Sequence, residues 1–397
     1  VNITFIEDSS QLGGVQYSSF LLAEYLMLKE GVEIEILLPN PGPLSKLLTE
    51  KSIPIKVYNS VKYKSTAISI LNDQLRIPNP IAWGWNMIAI LLNIIRIKKN
   101  IKPKTDLVIS KGLLNHFTSG LACKSLNFPV IFHLQDLITN RYFGIMKYVF
   151  NIFARFIPSY IICDGESIQK SLGKNNKNNS IVILNGIKSD YFIRDNNSRL
   201  GIRSEFNIPE DAYVIGHVAR ITPWKGQDLL LKAFINYSRQ NTNAYLLLIG
   251  APLFDNNHYS NSIIKIIESH SLMHRVIMPG YRNDLQAMYS AMDLFLYPSI
   301  EKDTSPLALL SAISSGLPVG VSNIDSLTEI VDKCNDIDTF NPKNIDEMSA
   351  LMKKYENDKI RKKIGLLNRE AGRNNFDILV HGKKIEHIIQ HVYNSGL

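Results

Sequence analysis

The sequence predicts an α/β protein made of two doubly wound domains, and three observations carry that prediction. The chain has 397 residues, too many for one ordinary core. Short Val/Ile/Leu-rich runs alternate with helical patterns along most of its length, as in parallel sheets covered on both faces. The series then restarts after a polar, turn-rich stretch, KSDYFIRDNNSRLGIRSEFNIPEDA at 188–212, so the hinge is expected near the start of that stretch. Hydrophobic residues make up 45% and charged residues 20%, a globular and not a disordered composition.

In the first half the expected strands are NITFI, VEIEILLP, IPIKVY, TDLVIS, PVIFHL, YIICDG and SIVILNG. Between the first two, Tyr17, Phe20, Leu21, Tyr25 and Leu28 share one helical face and Gly31 stops the helix. Residues 81–97, IAWGWNMIAILLNIIRI, directly precede TDLVIS and are followed by Lys98 and Lys99. They fit a crossover helix covering the first sheet better than a span of about 20 apolar residues. Residues 142–157 mix aromatics with Lys147 and Arg155 and read either as a helix covering the same sheet or as a contact with an anionic membrane face. The second half reads strand AYVIGHVAR, helix QDLLLKAFINYSRQ, strand AYLLLIG, helix SIIKIIESHSL, strand RVIMPG, helix DLQAMYSAM, strand DLFLYPS, helix PLALLSAISSG and strand LPVGVS. The expected division is 1–188, 189–377, and a last helix over 378–397 that packs back on the first domain.

The net charge of +8 sits in the first half: residues 1–190 hold 21 Lys/Arg against 13 Asp/Glu, and residues 191–397 hold 23 of each. Residues 51–155 carry 15 basic against 3 acidic side chains. A field of one sign on one domain suits a polyanion such as an anionic membrane face, a phosphate-bearing substrate or a nucleic acid; the plain alternative is a solvated basic surface. Cys123, Cys163 and Cys334 are far apart and lack metal-ligand spacing, which fits a reduced, cytoplasmic protein. The opening VNITFIEDSS reads as a strand followed by acids and not as a secretory leader.

Ligands of open α/β sheets sit beyond the carboxyl ends of the strands, so those positions are the ones to read. Gly13 and Gly14 open a helix after the first strand, where bare amides attract phosphate or sugar oxygens; a simple tight turn explains them equally well. The pair is not G-x-G-x-x-G, which removes the main support for a dinucleotide enzyme. His133 falls at a strand end, where a structural and a functional histidine look alike. Arg220 follows a strand and Lys225 opens the next helix; two cations this close can straddle one diphosphate. In DTSPLALLSAISSG, Ser305 suits an N-cap and Pro306 the first helical position, leaving the amides of Leu307 and Ala308 to face an anion.

Taken in order, the Gly-Gly turn, FHLQD, NGI at 185–187, GHVARITPWKGQDLLLKAF, LLLIGAP, VIMPGYRNDLQAMYSAMDLFLYPS, LLSAISSGLPVGVSN and LTEIV resemble the retaining nucleotide-sugar glycosyltransferases of family 4. The resemblance spans nearly the whole chain and is strongest over 213–331. It implies two Rossmann-like domains facing across a cleft, the GT-B architecture, with the nucleotide-sugar donor on the second domain and a glycan acceptor on the first. It implies transfer with retention, with no metal and no cofactor, and no nucleic acid as partner. Arg220 and Lys225 match the family's diphosphate pair, and His133 matches a histidine that contacts the donor sugar. Gly250, Tyr281 and Arg282 match the rim that holds the base, and Gly14, Ser305, Leu307 and Ala308 the donor-binding turns. The family also carries two glutamates separated by seven residues. This chain has Asp303 at the first position and Ser311 at the second, so a serine stands where a carboxylate grips the ribose diol.

Three readings follow. One is an active glycosyltransferase working on a lipid-linked oligosaccharide or polysaccharide from the inner face of the cell membrane, as in O-antigen, capsule or lipopolysaccharide synthesis. Another is a catalytically degenerate relative that binds or scaffolds. The last is another two-domain sugar-nucleotide enzyme, such as an epimerase.

Overall fold

The computed structural model describes residues 1–70, 75–138, 145–252, 257–301, 303–334 and 336–395. The chain divides into two units, one of Val1–Ile183 with Gly382–Leu397 and the other of Leu184–His381.

The first unit holds strands β1 (Asn2–Ile6), β2 (Glu33–Leu38), β3 (Ile55–Val57), β4 (Ala67–Ile70), β5 (Leu75–Pro78), β6 (Leu107–Lys111), β7 (Val130–Leu134), β8 (Tyr160–Cys163) and β9 (Ser180–Val182). Its helices are α1 (Gly14–Met27), α2 (Pro43–Glu50), α3 (Pro80–Asn100), α4 (Leu113–Ser125), α5 (Ile145–Phe156), α6 (Glu166–Ser171) and α7 (Lys174–Lys177). Seven strands form one parallel sheet in the order β3-β2-β1-β6-β7-β8-β9, and β4 pairs β5 as a separate antiparallel hairpin. The expected seven strands are all present; the hairpin was not anticipated. The chain winds outward from β1 to β3, then back from β6 to β9, so the winding reverses between β1 and β6. Val108, Phe132, Phe150 and Ile161 belong to the core on one face of this sheet.

The second unit contains α8 (Asn196–Glu205), β10 (Tyr213–Val218), α9 (Gln227–Ser238), β11 (Ala244–Ile249), α10 (His258–Ser269), β12 (Val276–Gly280), α11 (Leu285–Ala291), β13 (Leu294–Tyr297), α12 (Leu307–Ser314), β14 (Val319–Ser322), α13 (Asp325–Asp332), β15 (Asp338–Phe340), α14 (Ile345–Lys354) and α15 (Asp358–Phe376). The parallel sheet runs β12-β11-β10-β13-β14-β15, with its reversal between β10 and β13. One core lies under α11 and α12, with Met288, Tyr289 and Leu309, and another under α9, α10 and α14, with Leu230, Phe234 and Met348. The short edge strand β15 escaped the sequence reading because three residues carry almost no periodicity.

Three expectations need correction. The division falls between Ile183 and Leu184, ahead of the expected boundary at 188, and the polar stretch 188–212, α8 included, lies within the second unit. Its polarity is paired: Arg203 is fully buried, donates to the carbonyls of Ala212 and Ala291, and forms an ion pair with Asp293 at 2.8 Å. The helix over 81–97 does lead into β6, but it buries only Ala82, Ala89, Asn93 and Ile97, while Ile81, Trp83, Trp85, Ile88, Leu91, Leu92 and Ile95 are exposed. Ser305 is not the N-cap of α12. It takes a left-handed φ of 45°, and Pro306 occupies the cap position without a side-chain cap. The Ser305 hydroxyl instead accepts the amide of Asn185 at 2.7 Å, while the Asn185 side chain donates to the Ser305 carbonyl at 3.0 Å. Of the 142–157 segment, residues 142–144 lie outside the described residues.

The last helix, α16 (Ile378–Asn394), crosses the division, with Gly382 onward counting with the first unit. There Glu386 accepts from the Tyr25 hydroxyl at 2.9 Å and pairs with Lys29 at 3.0 Å.

Candidate active site

Each sheet gathers charged side chains where its winding reverses, at the strand ends where an open α/β sheet leaves a crevice.

In the second unit, β10 ends into Ala219 and the exposed Arg220, and a 3-10 turn over Pro223–Lys225 leads to α9. Gly226 closes that turn at φ +70°, and a Cβ there would lie 2.1 Å from the Pro298 carbonyl oxygen, so only glycine lets the turn dock on the end of β13. Docking turns Lys225 inward. Its Nζ donates to the Tyr297 hydroxyl at 2.8 Å and forms an ion pair with Asp303, which also accepts from Tyr297. Ser299 adds a bond to the same carboxylate at 3.3 Å, and the Asp303 amide donates to Ser326 Oγ at 3.0 Å. Burial pushes the Lys225 ammonium below its usual range, against the pull of Asp303, and burial and Asp303 together hold the Tyr297 phenol well above its own. The side chain of Asp303 keeps 15% exposure, so this pair is open to solvent on one side.

The other predicted residues of this unit fall into two groups. Gly250 sits at φ +142°, and a Cβ there would come within 1.9 Å of the Ala219 carbonyl oxygen, so it brings the end of β11 against the backbone that leads to Arg220. Leu307 and Ala308 open α12 ahead of its first intrahelical donors, the amides of Leu309 and Leu310. Tyr281 is exposed, whereas Arg282 is already forked between Glu205 (2.6 and 3.1 Å) and Asp284 (2.8 and 2.6 Å). Ser311 is buried, and its hydroxyl lies near enough to the Tyr289 phenol to act on it; that phenol donates to the Ala308 carbonyl at 2.9 Å. A buried tyrosine thus faces position 311.

In the first unit, α1 begins at Gly14 with Gly13 as an N-cap that offers no side chain, and a Cβ on Gly14 would meet open space. His133 is buried near the end of β7 and its Nε2 lies 2.6 Å from Asp164 Oδ1 at the end of β8. Gln135 donates to the second Asp164 oxygen at 2.8 Å and to Ser18 Oγ at 2.9 Å. Lys111, the last residue of β6, is fully buried and donates to the same Ser18 oxygen at 3.3 Å. Glu7, just beyond β1, is also fully buried, and neither of its carboxylate oxygens has a partner among the described residues. Burial raises the Glu7 carboxyl to about 7 in spite of Lys111. Burial lowers the His133 imidazole, helped by Lys111 and opposed by Asp164. Burial also works to raise Asp164, but His133, Lys111 and Gln135 together hold it below the usual carboxylate range.

Glu7, Lys111 and Asp164 were missed in the sequence, yet the rule that found His133 and Arg220 reaches them too. Each is a charged residue at the carboxyl end of a β-rich run, in FIED, ISKG and ICDG. Tyr297 could be read only as core.

Residues 198–371 match one protein family, described as glycosyl transferases group 1. That match lies within the second unit. The O-antigen biosynthesis glycosyltransferase WclY of Escherichia coli is 28% identical over 174 residues, 44% of this chain and 46% of that protein, so the match spans about half the length of that relative. The UDP-Gal:alpha-D-GlcNAc-diphosphoundecaprenol alpha-1,3-galactosyltransferase of Escherichia coli is 23% identical over 372 residues, 86% of each chain. The crystal structure of Anabaena Alr3699/HepE in complex with UDP and glucose superposes with a TM-score of 0.81 at 19% identity, covering 98% of this chain and 99% of that one. The fold is therefore that of two-domain glycosyltransferase structures.

Proposed function

We propose that the chain is a glycosyltransferase that moves a sugar from a nucleotide-sugar donor to a glycan acceptor, with retention and without a metal ion. One observation carries the reading: Lys225 is buried at the winding reversal of the second unit, beside β13, on the turn that follows Arg220. A nucleoside diphosphate leaving group gains charge as the glycosidic bond breaks. Cations fixed in advance at that point stabilise the transition state more than the ground state. Arg220 and Lys225 take that role, and the amides of Leu307 and Ala308 add to it. Gly14 supplies bare amides to the donor, and Gly250 and Tyr281 flank the base. Arg282 orders the same rim through Glu205 and Asp284.

His133 serves the transferred sugar. With its Nε2 hydrogen directed at Asp164, Nδ1 remains a lone-pair acceptor, and no described residue bonds it. A sugar hydroxyl suits it. Asp303 takes the sugar-side position of the first family glutamate once diphosphate has displaced it from Lys225. The relatives' named roles, O-antigen biosynthesis and transfer to a diphosphoundecaprenol-linked sugar, support a lipid-linked oligosaccharide acceptor and surface polysaccharide as the product. Work on the cytoplasmic face of the membrane suits a chain whose three cysteines are free and buried.

The test is nucleotide release from UDP-, GDP- and ADP-sugars with chelator present, with the product's anomeric configuration read by NMR. Release in chelator with retained configuration is expected; inversion or full dependence on added metal rejects the mechanism. A second reading, binding without catalysis, is favoured by Asp303 neutralising Lys225 and by Ser311 facing Tyr289. Stabilisation of the fold by a nucleoside diphosphate with no release from any donor would establish it.

A further inference from the structure

The first unit turns one helical layer inside out. The residues that α3 buries are Ala82, Ala89, Asn93 and Ile97, small or polar except for the last, and Ile94 packs partly against the same core. Outward stand Ile81, Met87, Ile88 and Leu91, 80, 62, 51 and 59% exposed, with Trp83 and Trp85 beside them. α4 packs next to α3 and presents Leu114 and Leu121, one helical face, to solvent. α5 joins α4 through Phe117, whose ring meets Phe150 at 5.6 Å and Phe153 at 4.8 Å, and exposes Ile145, Tyr148, Val149, Ile152 and Phe156. Three adjacent helices thus leave an apolar outer face uncovered, the kind of surface that marks a docking site.

The charge around this face has one sign. α3, α4 and α5 contain no Asp or Glu, and carry Arg96, Lys98, Lys99, Lys124, Lys147 and Arg155. Length alone would let α3 cross a bilayer, but it is strapped flat to its unit. Asn93 bonds both the amide and the carbonyl of Val61, at 2.7 and 3.1 Å. Asn86 does the same to Lys64, at 2.8 and 2.9 Å, and the Trp85 indole donates to the Lys62 carbonyl at 3.1 Å. A helix held along its length, apolar outward and flanked by cations, fits the plane of a membrane interface.

We propose that the outer face of α3, α4 and α5 docks on an anionic lipid bilayer, with α3 lying at headgroup depth and Trp83 and Trp85 anchoring it. The absence of acidic side chains from all three helices selects this occupant over a second copy of the chain, whose identical cationic rim would repel. Because α3 leads into β6, its tryptophan end lies at the carboxyl edge of the sheet, where Glu7 and Lys111 are. A lipid-linked acceptor would reach that edge from the bilayer; this purpose rests on the proposed function, whereas the docking rests on the helices alone.

The experiment uses the full chain with phosphatidylcholine vesicles containing none or 30% phosphatidylglycerol, and needs neither donor nor acceptor. Two of the three tryptophans are on α3, the third being Trp224, so anionic vesicles should blue-shift the emission, and W83F/W85F should abolish the shift. I88S/L91S/I95S should weaken binding at least tenfold, and K98A/K99A should reduce its dependence on anionic lipid and salt. Thermal stabilisation by UDP should be unchanged in these variants, which separates loss of docking from misfolding and from failure of the donor reading. Equal recovery in the supernatant with both vesicle types at low salt overturns the proposal. So does a dimer in solution that I88S/L91S/I95S converts to monomer, which would assign the face to a second copy.

Discussion

Lys111 and Lys225 both lie buried where the winding of a parallel sheet reverses, one in each unit, and their surroundings are opposite. Lys225 has a carboxylate in direct contact and an opening to solvent beside it. Lys111 is fully enclosed, bonds a serine hydroxyl, and is absent from the ion pairs among the described residues; Glu7, Asp164 and Asp8 act on it through space. An ammonium paired at an open edge can exchange its carboxylate for a ligand's phosphate. An enclosed ammonium in a lattice of hydrogen bonds is costly to move, and it sets the charge state of the groups around it. In the proposed function, the same residue at the same topological position serves ligand exchange in one unit and electrostatic framing in the other.

The sharpest way to break this contrast is to remove the exchangeable cations. Lys225→Ala and Arg220→Ala should each lower nucleotide-sugar turnover by on the order of 100-fold or more while the fold persists, the size expected for loss of one donor to developing charge. Near-normal turnover in both would take the diphosphate away from this edge.

A smaller effect sharpens it. If Asp303 holds the place of a phosphate, Asp303→Asn should tighten nucleoside diphosphate binding on the order of tenfold, about 1.4 kcal/mol, while lowering transfer. Titration calorimetry with UDP reads it, and unchanged or weaker binding would mean that Asp303 and the ligand do not compete.

The smallest effect belongs to the enclosed edge. Glu7 keeps its proton to about pH 7 when folded and loses it near 4.5 when unfolded. The folded chain therefore holds more protons between those values. This contribution to stability is fully present below 4.5 and is lost as pH rises through 7. Glu7→Gln should flatten the fall of the melting temperature between pH 5 and 8 by a few degrees. An identical slope in the variant would show that Glu7 titrates normally.

Much of this was legible without coordinates. Alternating buried strands and amphipathic helices are local patterns, so residues within a few positions of one another determined two parallel sheets and the elements of their cores. The candidate site was legible where one residue type at a strand end suffices, as for the positions of Arg220 and His133. It was illegible where function depends on a partner far along the chain. That Asp303 would close on Lys225, that Asn185 would take the hydroxyl of Ser305 away from capping, and that Tyr289 would face Ser311 are contacts between distant positions. Sequence spacing does not encode them. The outer face of α3 shows the limit most clearly. Its sequence determined an apolar helix before β6, but an apolar segment nearly all round carries almost no signal for which side turns inward. The bonds of Asn86 and Asn93 to residues 61–64 decided that, by fixing the rotation of the helix so that its polar atoms pair within the protein and its largest apolar side chains face away from it.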